Sequence, residues 1–121
     1  MTYVDGFLLP CPKDKVAEYA KLSKKASKIW MDHGALEYRE CAGDDLEIPG
    51  MLSFNKVAKA KENETVIFAF IVYKSKAHRD AVNKKVMADK RMADMSPDKV
   101  PFDVKKMAYG GFKTIVEGLA K

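Results

Sequence analysis

Thr65-Val66-Ile67-Phe68-Ala69-Phe70-Ile71-Val72-Tyr73 is apolar on both faces of the strand it would form. Side chains alternate across a strand, so Val66, Phe68, Phe70 and Val72 share one side and Ile67, Ala69, Ile71 and Tyr73 the other. A chain of 121 residues with two helical segments can cover one face of a sheet but hardly both. The uncovered face calls for a partner, most simply a second copy of the chain. The stretch therefore predicts a small α+β domain that assembles as a homodimer through its sheet.

Working outward from it, Tyr3 to Pro10 reads as a first strand, with Tyr3, Asp5, Phe7 and Leu9 on one face and Val4, Gly6 and Leu8 opposite. Pro10 and Pro12 are expected to end it, and Pro12 stands where a helix start tolerates a missing N–H. From Lys13 to about His33 the period is helical: Val16, Tyr19, Ala20, Ser23, Ala26, Ile29, Trp30 and His33 form one stripe. Gly34 follows as the glycine that closes such a helix. Ala35 to Ala42 alternates again, setting Leu36, Tyr38, Glu40 and Ala42 against Glu37, Arg39 and Cys41. Gly43 to Gly50 is a loop, Met51 to Ala58 a short strand, and Lys59 to Glu64 a charged turn. Beyond the apolar stretch, Ser75 is placed to cap a second helix, Lys76 to about Lys90. Met92 to Pro101 is expected to be a loop, and Lys106 to Glu117 a last strand interrupted by Gly110-Gly111. Strand, helix, strand, strand, helix, strand is the split βαβ order of ferredoxin-like domains, here in one domain over residues 1–121.

The net charge of +5 is almost all lysine, since Arg39, Arg79 and Arg91 are the only arginines. Readers of bases and phosphates favour the rigid fork of arginine, so dispersed lysine fits a solvated helix face better than a nucleic-acid site. Cys11 and Cys41 lack metal-ligand spacing and read as reduced thiols. The N-terminus has no signal-peptide pattern, and no apolar run approaches the about 20 residues that span a bilayer. Cytoplasmic residence is the expectation.

Several blocks resemble a known family. They are Tyr3-Val4-Asp5-Gly6-Phe7, Lys61-Glu62-Asn63-Glu64, Arg79-Asp80-Ala81-Val82-Asn83, Met87-Ala88-Asp89-Lys90-Arg91-Met92, and the run from Pro101 through Tyr109-Gly110-Gly111 to Phe112. Together they resemble the small bacterial proteins grouped as "domain of unknown function 1428". The resemblance implies the dimeric α/β barrel superfamily, in which two ferredoxin-like sheets pack face to face. It implies no particular activity. Phe70 stands where some relatives carry tryptophan and Lys106 where they carry arginine, which bears on the detail of any pocket rather than on the fold.

The polar clusters come next. Arg79 and Asn83 are four apart on one helix face, as are Asp80 and Lys84. Arg79 and Asn83 aimed into a cleft would hold a carboxylate or carbonyl. The plainer expectation is an Asp80–Lys84 surface pair, with Arg79 and Asn83 tying the helix to loops. Gly110-Gly111 suggests a bulge that curves the last strand, or the close approach of another group. In the second case Tyr109 and Asp103 would sit at a pocket rim. Asp5, near a strand end, is expected to be exposed or bonded to a loop; buried among Tyr3, Phe7 and Leu9 it would suit proton transfer. His33 ends the first helix and His78 begins the second. Some barrel-superfamily members bind haem through a helix histidine and others pair His with Asp, so the resemblance offers Trp30, His33, His78 and Asn83 for those parts, though their spacing matches no motif. No metal-ligand cluster is present in the sequence.

The candidate pocket is thus Asp5, His33, His78, Arg79, Asn83, Asp103 and Tyr109, with no catalytic residue or cofactor assigned. The expected function is binding of a small organic molecule in a cleft between helices and sheet, and the superfamily resemblance implies an oxygenase- or isomerase-like enzyme. A non-catalytic ligand-binding or interaction module is the alternative, with nucleic-acid association ranked below both and membrane association set aside.

Overall fold

The stretch Thr65–Tyr73 is a strand, apolar on both faces, in the computed structural model, which describes residues 1–120. That strand is β3 (Glu64–Tyr73), and it pairs with β1 (Tyr3–Pro12) along its whole length, Tyr3 opposite Tyr73 and Pro12 opposite Glu64. β2 (Glu37–Ala42) adds to its other edge, and β4 (Ala108–Lys113) pairs with the first part of β1. The result is one antiparallel sheet in the order β2-β3-β1-β4. With α1 (Val16–Asp32) between β1 and β2, and α3 (Lys76–Met87) between β3 and β4, this is the ferredoxin-like fold.

The two long helices lie on one side of the sheet. Ile29 from α1, Ile71 and Tyr73 from β3, and Val82 and Val86 from α3 are all buried in one cluster. A second cluster of Leu9, Cys11, Tyr19 and Ile67 continues it toward the far end of β1. Burying each large side chain of this set stabilises the fold by about 1.5–3 kcal/mol. Gly34 closes α1 at a φ of +107°, which a side chain would strain, and its N–H donates to the Met31 carbonyl. Ser75 caps α3 through the His78 N–H as its sequence suggests. Among the described residues no helix is long and apolar enough to cross a membrane.

The opposite face is not covered by long helices. Phe68 is 48% exposed and Phe112 61% exposed, beside half-buried Val4, Leu8, Phe70 and Val72. At the Val66 end the excursion after β2 covers this face, bringing the Phe54 ring centre to 6.4 Å from that of Phe68.

Four sequence expectations change. Pro10 and Pro12 do not end β1, because β4 pairs only as far as Leu8 and leaves that edge of β1 open where the prolines stand. Met51 to Ala58 is not a strand but holds the short helix α2 (Phe54–Val57), nucleated by Ser53, whose hydroxyl accepts from the Lys56 N–H. The last strand is only Ala108–Lys113; a 3₁₀ turn, Val104–Lys106, precedes it, and residues 114–120 carry no helix or strand. The connection after α3 carries a 3₁₀ turn, Lys90–Met95, capped by Asp89.

Gly110 and Gly111 keep β4 in unbroken register opposite Gly6 and Asp5, so they form no bulge. Gly111 is there for close approach: a Cβ on it would lie 2.2 Å from the Tyr3 hydroxyl, because the Tyr3 ring crosses directly over it.

Because Ile71 is the residue on which α1 and α3 converge, Ile71→Ala is expected to cost about 2–4 kcal/mol in urea unfolding. Ile115→Ala, at a side chain 84% exposed, is expected to change stability by no more than about 0.5 kcal/mol.

Candidate functional site

The helix side of the sheet carries two carboxylates, and each organises its own group of residues. Asp5 on β1 is 1% exposed. Arg79 reaches down from α3, its Nη1 donating to Asp5 Oδ1 at 2.8 Å. The Tyr109 hydroxyl donates to Oδ2 at 3.1 Å and accepts from the same Nη1 at 2.9 Å. The Arg79 guanidinium also lies 5.1 Å from the centre of the Tyr3 ring, which stands where Gly111 leaves room. Asn83, one turn along α3, accepts from the Trp30 indole and the Tyr73 hydroxyl, both at 3.2 Å to Oδ1. The Asn83 side chain lies near enough to Asp5 to favour its charged form. Burial pushes the Asp5 carboxyl above its ordinary value, against the opposing pull of Tyr109, Arg79 and Asn83.

Four of the seven expected residues, Asp5, Arg79, Asn83 and Tyr109, therefore meet in one place. Asp5 is buried rather than exposed, because β3 and β4 flank it and α3 covers it. Arg79 and Asn83 bind the sheet, not loops, and Asp80 pairs with Arg79 Nε at 2.8 Å instead of with Lys84. His33, His78 and Asp103 lie elsewhere. His33 sits 2.8 Å from Asp89, which is also held by Arg91, so it fastens the end of α1 to the turn after α3. His78 accepts from the Lys74 N–H and packs its edge on Tyr73. Asp103 caps a 3₁₀ turn through the Lys105 N–H. With both histidines in these duties and neither on the wall of the cavity between α1 and the sheet, the residues do not fit a histidine-held haem. Cys11 is buried and Cys41 exposed, both as free thiols.

The second carboxylate, Glu40 on β2, did not enter the sequence-derived pocket. Three hydroxyls donate to it: Tyr19 and Ser23, one turn apart on α1, and Tyr38, whose hydroxyl is 2.6 Å from Oε2. Desolvation and the Glu40 charge push the Tyr19 and Tyr38 phenols well above their ordinary value, so both stay protonated donors. These four residues stand between two cavities. The inner one, about 220 Å³, lies under α1 and is walled by Phe7, Trp30, Ala26, Met92 and Phe102. The outer one, about 270 Å³, opens along α1 and the β2 edge past Lys24 and Cys41. Trp30 and Phe7 join the two carboxylate groups: Trp30 bonds Asn83, and Phe7 stacks on Tyr109 at 4.9 Å. The signal for Glu40 was present in the sequence, as an acid on the inward register of β2 and two hydroxyls on the inward stripe of α1. Joining them needed the strand order.

Comparison with known proteins agrees with this architecture. The model of a family described as "Protein of unknown function (DUF1428)" matches residues 2–104. The chain belongs to the DUF1428 family. It is 42% identical to the "Uncharacterized protein YbaA" of Escherichia coli K12 and to that of Shigella flexneri, over 97% of this chain and 99% of theirs. Among solved structures it resembles an uncharacterized NIPSNAP domain protein from Burkholderia xenovorans, with a TM-score of 0.62 at 14% identity, covering 98% of this chain and 99% of that one. That likeness concerns the fold alone. Asp5, Glu40, Arg79 and Asn83 fall within the DUF1428 match, whereas Tyr109 and the rest of β4 lie beyond it.

The Asp5–Arg79 pair has a measurable pH signature. Arg79→Met leaves a buried carboxylate without its cation and is expected to cost about 3–5 kcal/mol at neutral pH. It also removes a charge that lowers the Asp5 pKa, so that pKa rises further. A carboxyl with a folded pKa above its unfolded one binds its proton preferentially in the folded state. Stability is then gained as pH falls through the folded value and lost as pH rises through it. Urea unfolding is therefore expected to show the gap between wild type and Arg79→Met narrowing as pH is lowered from neutral; a constant gap would contradict the role given to Asp5.

Proposed function

We propose that this DUF1428 chain is a homodimer that binds a small, largely apolar organic molecule in the cavity between α1 and the sheet. The observation that carries the ligand reading is the inner cavity itself, apolar over most of its wall and closed at one end by the hydroxyls gathered on Glu40. Ligand sites take this form, a concave apolar surface with a few convergent polar groups, over about 300–1,000 Å³. At about 220 Å³ the cavity lies just below that range, which suits a compact ring-sized molecule and not a macrocycle. The dimer reading rests on the outer sheet face, where Phe68 and Phe112 stand about half exposed among apolar neighbours. Binding is the part of the function that the cavity supports; an oxygenase- or isomerase-like reaction remains what superfamily resemblance suggests.

One further surface favours a second reading. Lys21, Lys24, Lys25 and Lys28 on α1 line a shallow groove with Arg91 and Asp94; Lys28 and Arg91 pair with Asp32, which leaves Lys21, Lys24 and Lys25 as the charges it offers a polyanion. Retention on nucleic acid that weakens with salt would support it, and its absence at low salt would end it.

Two measurements test the main reading. Thermal-shift screening of small aromatic acids, alcohols, amines and quinones is expected to find stabilising compounds, and Ala26→Phe, which fills the cavity, is expected to abolish the shift. No stabilisation of the wild type by any of them would contradict the ligand site. Sedimentation equilibrium at micromolar concentration is expected to give twice the 13.6 kDa chain mass, and Phe68→Lys to return it to the monomer value by placing a charge in the interface. A wild-type monomer would contradict the dimer.

A further inference from the structure

Glu40 differs from Asp5 in one respect that bears on ligand chemistry. Asp5 has Arg79 as its cation, but Glu40 makes no ion pair among the described residues. Its hydrogen bonds come from three neutral hydroxyls, which occupy three of its roughly four lone-pair sites and leave its charge uncancelled. Nearby cations do not answer it. Arg39 turns its guanidinium to Glu37 at 3.0 Å, across the sheet on the other face. Lys24 borders the outer cavity without pairing with Glu40. A half-buried carboxylate without a cation favours the arrival of one, and here Glu40 stands at one end of an aromatic cavity. Trp30 and Tyr38, with ring centres 5.9 Å apart, form part of that wall, and aromatic rings attract cations to their faces.

We infer that the ligand of this cavity carries a single protonated nitrogen on a compact apolar body. The nitrogen sits against Glu40 and its hydroxyls, and the body lies between the sheet and the Trp30 side of α1. This rests on the ligand-site reading above and adds the ligand's charge to it. Ser23 and the two tyrosines then have a second purpose: they hold the carboxylate in one orientation while it waits for its partner, and their oxygens keep lone pairs free to accept from the ammonium.

Isothermal calorimetry with three probes of similar size and different charge decides it: phenethylamine, phenethyl alcohol and hydrocinnamate. The wild type is expected to bind the amine most tightly and the acid least. Glu40→Gln keeps the size of the side chain and an acceptor oxygen, and is expected to weaken the amine by about tenfold or more while leaving the alcohol unchanged. Tyr38→Phe, which retains the carboxylate, is expected to keep the preference for the amine. Should Glu40→Gln fail to fold, judged by circular dichroism, the wild-type ranking of the three probes still decides. Equal affinity for the probes, preference for the acid, or an amine affinity indifferent to Glu40→Gln would overturn the inference and leave the cavity as a ligand site. No binding of any probe would overturn both.

Discussion

The packing of α1 and α3 onto one face of β3 is the contact on which the rest of the molecule depends. Ile71 and Tyr73 take the helices from above, and the pairing of β3 with β1 and β2 then fixes which residues of every strand face the helices. A slip of one residue would turn the whole set to the other face. Asp5 and Glu40 are inward for this reason alone, one placed opposite Ile71 and the other opposite Ala69. The cavity has the same origin. Two helices do not tile a four-stranded sheet, and the gap is roofed by the connection from α3 to β4, which lends Met92, Met95, Phe102 and Met107. Methionines suit such a roof because their unbranched chains adapt to irregular gaps.

Polar groups on that inner face carry a desolvation cost, and the chain meets it in two ways. At Asp5 it supplies an internal cation, two aromatic hydroxyls within reach of the same network and an amide, and the group is complete. A site so fully satisfied is a structural fastening of α3 to β1 and β4. At Glu40 it supplies hydrogen bonds without a countercharge, beside open space. The contrast between a closed and an open arrangement, on one face of one sheet, is what separates a brace from a binding site.

Much of this was legible in the amino-acid order. The double apolar face of Thr65 to Tyr73, the helical stripe from Val16 to Trp30 and the caps at Gly34 and Ser75 are local signals, and the element order follows from them. The partnership of Asp5 with Arg79, Asn83 and Tyr109 could be named only as a set of candidates, because it joins β1, α3 and β4 across sequence distances that periodicity does not reach. His33 and His78 drew attention as chemically versatile residues, yet helix ends need ring nitrogens too, for Asp89 and for the Lys74 N–H. Glu40 was hidden for the opposite reason, as an ordinary acid on a strand of mixed polarity. The proline-bearing end of β1 misled because the rule that prolines end strands applies to edges that are paired, and β4 is too short to pair that one.

The central claim is that one face of the sheet is covered by the chain's own helices and the other by a second copy. Hydroxyl-radical footprinting read by mass spectrometry tests it directly, comparing the labelling of Phe68 and Phe112 at high and low protein concentration, with Met87, 63% exposed at the end of α3, as the internal control. The expected result is protection of both phenylalanines at high concentration and its loss on dilution, with Met87 labelled equally throughout. Equal labelling of Phe68 and Phe112 at every concentration, at the level of Met87, would contradict the claim.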